Sequence, residues 1–382
     1  MSRTVGEQVR AWSVVVGLAA TSCHALPSGP VAWRSTAPAP TEATFVLPSD
    51  PRVAVMGRAD RPDPGRLRIG YPGVTLRLRF EGTGLALRVT CDTPDARVAV
   101  LVDGGEPRTV RLPRGTGDVV LARGVSPGPH AIDVVHSTET WQGIVTVRGF
   151  LLDPGARLLT PDPWAPRRML FIGDSVTCGE AIDRAADCKK NPDWWDAYAS
   201  YGMLVARALH AQSHLVCYGG RGLIRDWRGR KDVLNAPGFL DLAIADEAAP
   251  SRWDHAAYVP EAIVVSLGTN DFSLSIGDLP PRADFVSAYV AFARILRARY
   301  PGAHVFLTEG AIVNDEVDPG RPQKRVLREY IAETARLLDD AHVHVVEARH
   351  YAGDACDAHP TREQHAAMAR DLEPVVREIL GW

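Results

Sequence analysis

The sequence predicts an α/β domain with a parallel sheet and helices on both faces, preceded by an all-β sandwich of jelly-roll type. Three observations predict it. Residues 45–152 carry apolar residues at every second position, in short runs separated by turn residues. Residues 165–382 instead contain continuous apolar runs, as strands buried on both faces require. Between those runs apolar residues recur at helical spacing, and strand–helix alternation builds a parallel sheet.

In the first half the alternating runs are RLRIG, VTLRLRF, LALRVT, RVAVLVDG, HAIDVVH and IVTVRGFLLD. Turn residues such as Asp103 to Gly105 and Ser126 to Gly128 separate them. Short strands with no helical pattern among them make a sandwich. The pair Gly82 and Gly84 therefore reads as a turn, not a phosphate loop. In the second half the continuous runs are MLFI, HLVCY, AIVVSL, HVFLT and HVHVVEA. Three amphipathic faces lie among them: Tyr201, Leu204, Val205, Ala208 and Leu209; Phe285, Tyr289, Phe292 and Leu296; Met368, Leu372, Val375 and Ile379.

At 382 residues the chain is long enough for two domains, each with its own core. It is 46% hydrophobic and 23% charged with a net charge of -3, so it has no basic footprint and nucleic acid is not an expected partner. Arg3 and Arg10 precede the apolar run WSVVVGLAA, which is too short to span a bilayer and reads as an export signal over residues 1–22. Cys23 follows Ala20, Thr21 and Ser22, resembling a bacterial lipoprotein cleavage site. The expected location is thus either secreted or lipid-anchored at the cell envelope, with membrane attachment through Cys23 in the second case. Residues 23–44 form a Pro/Ala-rich linker, 45–155 the sandwich and 165–382 the α/β domain.

The chain has six cysteines. Cys178 and Cys188 flank a loop and either pair in an oxidising compartment or stay buried thiols. No CxxC pair points to a zinc site. His342 and His344 share a strand face and read as packing. Neither a metal nor an organic cofactor is expected.

In such sheets ligands bind beyond the carboxyl ends of the strands, so the residues just after each run carry the function. After MLFI comes Gly173-Asp174-Ser175, and after HLVCY come Gly219 and Gly220. After AIVVSL comes Gly268-Thr269-Asn270-Asp271, and the last run leads to Asp357-Ala358-His359-Pro360. A serine, a glycine turn, an asparagine and a histidine on one edge suit acyl transfer: Ser175 as nucleophile, His359 as base, and the Ser175 and Gly220 amides with Asn270 as oxyanion donors. Thr361 to Gln364 is a capping box that starts a helix just after His359. Asp357 lies two residues before His359, where an extended chain would point the two apart. Either a turn brings Asp357 to the imidazole, or a backbone carbonyl holds the ring and Ser175 and His359 work as a dyad. Trp194 or Trp195 is a candidate sugar platform, with core packing for at least one of them as the bland alternative. Arg221 either touches substrate or holds its loop.

These four blocks resemble the SGNH hydrolases, also called the GDSL esterase/lipase superfamily, with a three-layer fold around a parallel sheet. HSTETWQGIVTVRGFLLD, YASYGMLVARAL, YGGRGLIRD, WDHAAYVPEAIVVSLGTNDFS and DAHPT resemble carbohydrate esterase family two more narrowly. That resemblance implies a jelly-roll domain joined to an SGNH domain and removal of acetyl groups from polysaccharides such as xylan or glucomannan. It also implies the roles of Ser175, His359, Gly220 and Asn270 given above. Most of the superfamily has Asp three residues before the histidine; here that position is Cys356. The same scaffold also serves lipases, lysophospholipases and peptidoglycan O-acetyl esterases, and a non-catalytic glycan-binding protein is the alternative of a different class.

Overall fold

Strand pairing in the first half obeys the alternating pattern. In this computed structural model, which describes residues 42–382, two antiparallel sheets face each other. One runs in the order Asp60–Asp63, Arg66–Ile69, Val145–Leu152, Gly84–Cys91, Gly115–Arg123, with Thr44–Val46 also paired to Val145–Leu152. The other runs Arg157–Leu159, Thr75–Glu81, Pro129–His136, Arg97–Val102, Arg108–Arg111, with Ala54–Met56 also on Thr75–Glu81. Leu76, Leu78 and Phe80 alternate inward against Leu87, Val89, Val147 and Phe150, which is why a period of two holds this core together. The expected export signal, Cys23 and nearly all of the expected linker lie outside the described residues.

The second half forms a parallel sheet in the order Ala211–Cys217, Arg167–Gly173, Ala262–Ser266, His304–Thr308, Val343–Val346. Met169 to Ile172 and Ala262 to Val265, at the centre of the sheet, are apolar and wholly buried. Helices Tyr201–Ala208 and Arg362–Leu380 pack together, and Arg282–Arg299 packs against Gln323–Leu338. From strand Arg167–Gly173 the chain crosses first to one side and then to the other. The crevice at that reversal is where such sheets take ligands.

The cores of the two halves meet where they pack together. Met56, Ala99, Leu101 and Val135 of the sandwich belong to the same buried cluster as Met169, Phe171, Tyr201, Met203 and Leu215 of the parallel-sheet half. Polar contacts add to it: Tyr71 donates to the Phe239 carbonyl at 2.7 Å, and buried Arg58 donates to the carbonyls of Leu240 and Leu242 at 2.6 and 2.9 Å. The two halves therefore share buried apolar and polar contacts, and a loop of the sandwich that carries Trp141 becomes part of the crevice wall. No helix among the described residues is long and apolar enough to cross a membrane.

Candidate active site

The site is built from the chain segments that leave the strands. Strand Arg167–Gly173 ends where a Cβ on Gly173 would collide with Thr177 Oγ1, so glycine alone lets the chain turn at once into the helical turn Ser175–Cys178. Asp174 caps that turn, its Oδ1 accepting the Val176 N–H at 3.1 Å. Burial lifts the Asp174 carboxyl to about 6. Ser175, only 5% exposed, is left facing the crevice.

His359 reaches the serine from the far end of the chain. Its Nε2 lies 2.8 Å from Ser175 Oγ, and its Nδ1 lies 2.5 Å from Asp357 Oδ1. The turn that permits this is local: Asp357 Oδ1 also accepts the His359 backbone N–H at 2.9 Å. The capping box of the next helix forms as the sequence predicts, Thr361 N–H donating to Gln364 Oε1 at 3.0 Å. Arg184 donates to the His359 carbonyl and fixes the loop from outside. Nδ1 therefore faces a carboxylate, not a backbone carbonyl.

The charges around the imidazole favour its protonated form. Burial pushes His359 down, but the Asp357 hydrogen bond and the charges of Glu180 and Asp357 outweigh it, so the ring sits above its ordinary value. Glu180 Oε2 is 3.6 Å from Nε2. Lys190 bridges the two acids, 2.5 Å from Glu180 Oε1 and 2.8 Å from Asp357 Oδ2. Burial raises Asp357, yet its bonds from His359 and Lys190 hold it well below the usual carboxylate range.

Two further segments close the rim. Tyr218 to Arg221 make a tight turn, closed by Arg221 N–H on the Tyr218 carbonyl at 3.3 Å. Gly220 has φ +74°, and a Cβ there would meet Trp227 Cδ1 at 2.7 Å. Asn270 lines the crevice and gives one amide hydrogen to the Arg221 carbonyl at 2.9 Å, leaving the other. Asp271 is bracing: it accepts the N–H groups of Leu223, Ile224 and Arg225 at 2.8, 2.8 and 3.1 Å, so the third block pins the loop of the second. A hydroxyl on an imidazole, with free N–H donors nearby, can attack an ester carbonyl and hold the resulting oxyanion.

The carbohydrate esterase 2 N-terminal family model matches residues 55–162, and the GDSL-like lipase/acylhydrolase family model matches residues 171–371. An acetylxylan esterase / glucomannan deacetylase of Cellvibrio japonicus is 42% identical over 338 residues, 88% of this chain and 91% of that protein. The chain belongs to carbohydrate esterase family two. The structure of a family two carbohydrate esterase from Cellvibrio japonicus superimposes with a TM-score of 0.84 at 40% identity, covering 89% of this chain and 98% of that one. One from Clostridium thermocellum in complex with cellohexaose gives 0.79 at 27% identity, covering 86% and 99%.

The cleft of this family-two esterase is open and has a volume of about 900 Å³. Its wall corrects the expected platform. Trp194 and Trp195 are 1% and 5% exposed and pack beside Ala181, because the insertion that carries them folds inward against the sandwich. The exposed indoles on the cleft are instead Trp141, 52% exposed, and Trp227, 46% exposed. Trp141 lies within the polar run HSTETWQG, and a lone tryptophan amid polar residues is the signal for it. Arg221 lines the cleft, but its guanidinium is held by Glu247 at 2.7 Å and Asp226 at 3.4 Å, which is the loop-holding alternative.

The cysteines also pair differently from the Cys178–Cys188 bridge that the loop between them suggests. Cys178 bonds Cys217, and Cys188 bonds Cys356. Cys178 lies one helical turn past the serine and meets the end of the neighbouring strand, while the Cys188 loop crosses to the segment that carries His359. Among the described residues Cys91 is the free cysteine, and it is buried. His344 Nε2 lies 2.9 Å from Nδ1 of His304 on the adjacent strand, and His342 Nδ1 accepts from Arg297 at 2.8 Å, so both predicted histidines are engaged in packing.

Proposed function

We propose that this chain removes O-acetyl groups from a polysaccharide of the xylan or glucomannan type by a serine mechanism. The observation that carries the reading is the 2.8 Å contact between Ser175 Oγ and His359 Nε2 at the edge of an open cleft. Ser175 Oγ attacks the acetyl carbonyl while His359 Nε2 takes its proton. The Ser175 and Gly220 amides and the second Asn270 amide hydrogen stabilise the oxyanion. Asp357 stabilises the imidazolium and holds the ring. Collapse of the tetrahedral intermediate releases the sugar oxygen, which receives the proton from His359. Water, deprotonated by the same nitrogen, then attacks the acetyl-serine, and collapse of the second tetrahedral intermediate releases acetate while the departing Ser175 oxygen takes the proton back from His359.

Trp141 and Trp227 present faces on which pyranose rings of a glycan chain stack. Disulfides beside the site support a cell-envelope or extracellular setting, with residues 1–22 as export signal and Cys23 as the point of lipid attachment if the protein is anchored. Acetate release from acetylated xylan, glucomannan and peptidoglycan, measured side by side with the Ser175→Ala variant, tests the reading. Release from the plant-type substrates that Ser175→Ala abolishes is expected. Preference for peptidoglycan, or for 4-nitrophenyl esters of long acyl chains over acetate, overturns it.

A further inference from the structure

The run His136 to Gln142 of the sandwich is polar yet almost wholly buried, Trp141 excepted. Burial of a carboxylate within it needs a reason, because desolvation is costly unless hydrogen bonds offset it. Glu139 is 1% exposed. Burial, with the charge of Glu180 acting in the same direction, lifts its carboxyl to about 7. Hydrogen bonds from three donors, Trp195, Gly219 and Trp141, oppose that lift. Trp195 Nε1–H donates to Oε1 at 3.0 Å, and the backbone N–H of Gly219 donates to Oε2 at 2.5 Å.

Gly219 immediately precedes Gly220. The turn is tied at its start by Tyr218 N–H on the Gly173 carbonyl at 3.2 Å and at its end by Trp227 N–H on the Gly220 carbonyl at 3.0 Å. Glu139 holds the peptide between those ties. No hydrogen bond among the described residues uses the Gly220 N–H, which remains directed by the turn alone. We infer that Glu139, supplied by the sandwich domain, is a positioning residue that aims the Gly220 amide at the developing oxyanion. The sandwich thereby takes part in the oxyanion site through a buried hydrogen bond to one turn, beyond forming a wall of the cleft. The inference rests on the proposed role of Gly220 as an oxyanion donor.

The contact can be broken from either side. Glu139→Gln replaces one acceptor oxygen by a donor, so Trp195 and Gly219 cannot both be satisfied. Gly219→Ala keeps the acid but puts a methyl carbon 2.7 Å from Oε1 and 2.9 Å from Oε2, displacing the carboxylate. Steady-state kinetics on 4-nitrophenyl acetate well below the unfolding temperature, and the affinity of a boronic acid that forms a tetrahedral adduct with serine, read the outcome. Each variant should lose about ten- to a hundredfold in kcat with KM nearly unchanged, less than the loss of a whole donor. Boronate affinity should fall by the same factor. The double variant should lose no more than the worse single one, because both break one contact. Val147→Ala, a cavity in the sandwich core, controls for destabilisation. If Glu139→Gln fails to fold, Gly219→Ala carries the measurement. The inference is overturned if Glu139→Gln and Gly219→Ala keep kcat within about twofold, or lose only what Val147→Ala loses. Ser175→Ala and Asn270→Ala in the same assay separate the two readings. Should those two retain activity, the proposed site itself is wrong; should they lose it while Glu139→Gln does not, only the role of Glu139 falls.

Discussion

Asp357 Oδ1 accepts both the Nδ1–H of His359, at 2.5 Å, and the backbone N–H of the same residue, at 2.9 Å. One carboxylate oxygen thus sets the turn and the ring together. In a chain running straight through these residues the two side chains would diverge. The Asx-type turn folds Asp357 back onto its neighbour, and Lys190 on Oδ2 keeps the carboxylate from rotating away.

On the proposed mechanism that contact gives Asp357 the third place of a triad, which a substitution tests. Asp357→Asn should lower kcat on 4-nitrophenyl acetate by about 10⁴-fold, approaching the effect of His359→Ala, because the amide leaves the imidazole in the wrong tautomer. A loss below about tenfold would return the ring to a backbone acceptor and make the pair of Ser175 and His359 a dyad.

The charges around His359 predict the acid limb of activity. As the proposed base, His359 must be neutral to take the serine proton, and its value is raised, so kcat/KM should fall on the acid side with an apparent pKa above about 6.5. Glu180→Gln removes one of the negative charges that raise it, while Lys190 stays. The limb should therefore move to lower pH; a limb that stays put or moves upward would show that Glu180 does not act on the imidazole.

The two exposed indoles should matter for polymers and not for small esters. Trp227→Ala and Trp141→Ala should each raise KM on acetylated glucomannan by roughly fivefold, about 1 kcal/mol of lost stacking. Turnover of 4-nitrophenyl acetate should change little with Trp227→Ala, and with Trp141→Ala only by the share of the Glu139 hydrogen bonding that its indole supplies. Equal losses on both substrates would assign the indoles to holding the cleft rather than the glycan.

Both disulfides join loops of the site. Cys178–Cys217 links the serine turn to the strand end before Gly219, and Cys188–Cys356 links the Lys190 loop to that of Asp357 across 168 residues of sequence. Reduction, or Cys188→Ser with Cys356→Ser, should lower stability by about 2–5 kcal/mol. Thermal unfolding with and without reductant measures this. An unchanged unfolding temperature would mean that the bridges do not constrain the folded loops.

Local signals were legible wherever a residue's own neighbours decide its state. The runs at Met169, His214, Ala262, His304 and Val343 become the five strands of the parallel sheet, and the alternating runs of the first half all become strands. Strand Gly115–Arg123 escaped because glycine, Thr116 and Asp118 dilute its alternation, and Arg108–Arg111 because it buries no residue. Helix Gln323–Leu338 escaped because two of its four buried positions, Gln323 and Thr334, are polar. Ser175, Gly220, Asn270 and His359 were readable for one reason: each comes just after a strand or just before a capped helix, so topology carries them to one rim.

The sequence by itself determined the main strands of both halves, three of the long helices, and which polar residues sit at the strand ends, since period and turn chemistry are properties of adjacent residues. Tertiary structure alone decided that Glu139 reaches Gly219, that Cys188 pairs with Cys356, that Trp195 is buried and that Trp141 is exposed. Those outcomes depend on which loops face each other once two sheets share a core. No local pattern encodes a contact between groups separated by dozens of residues; close packing selects it.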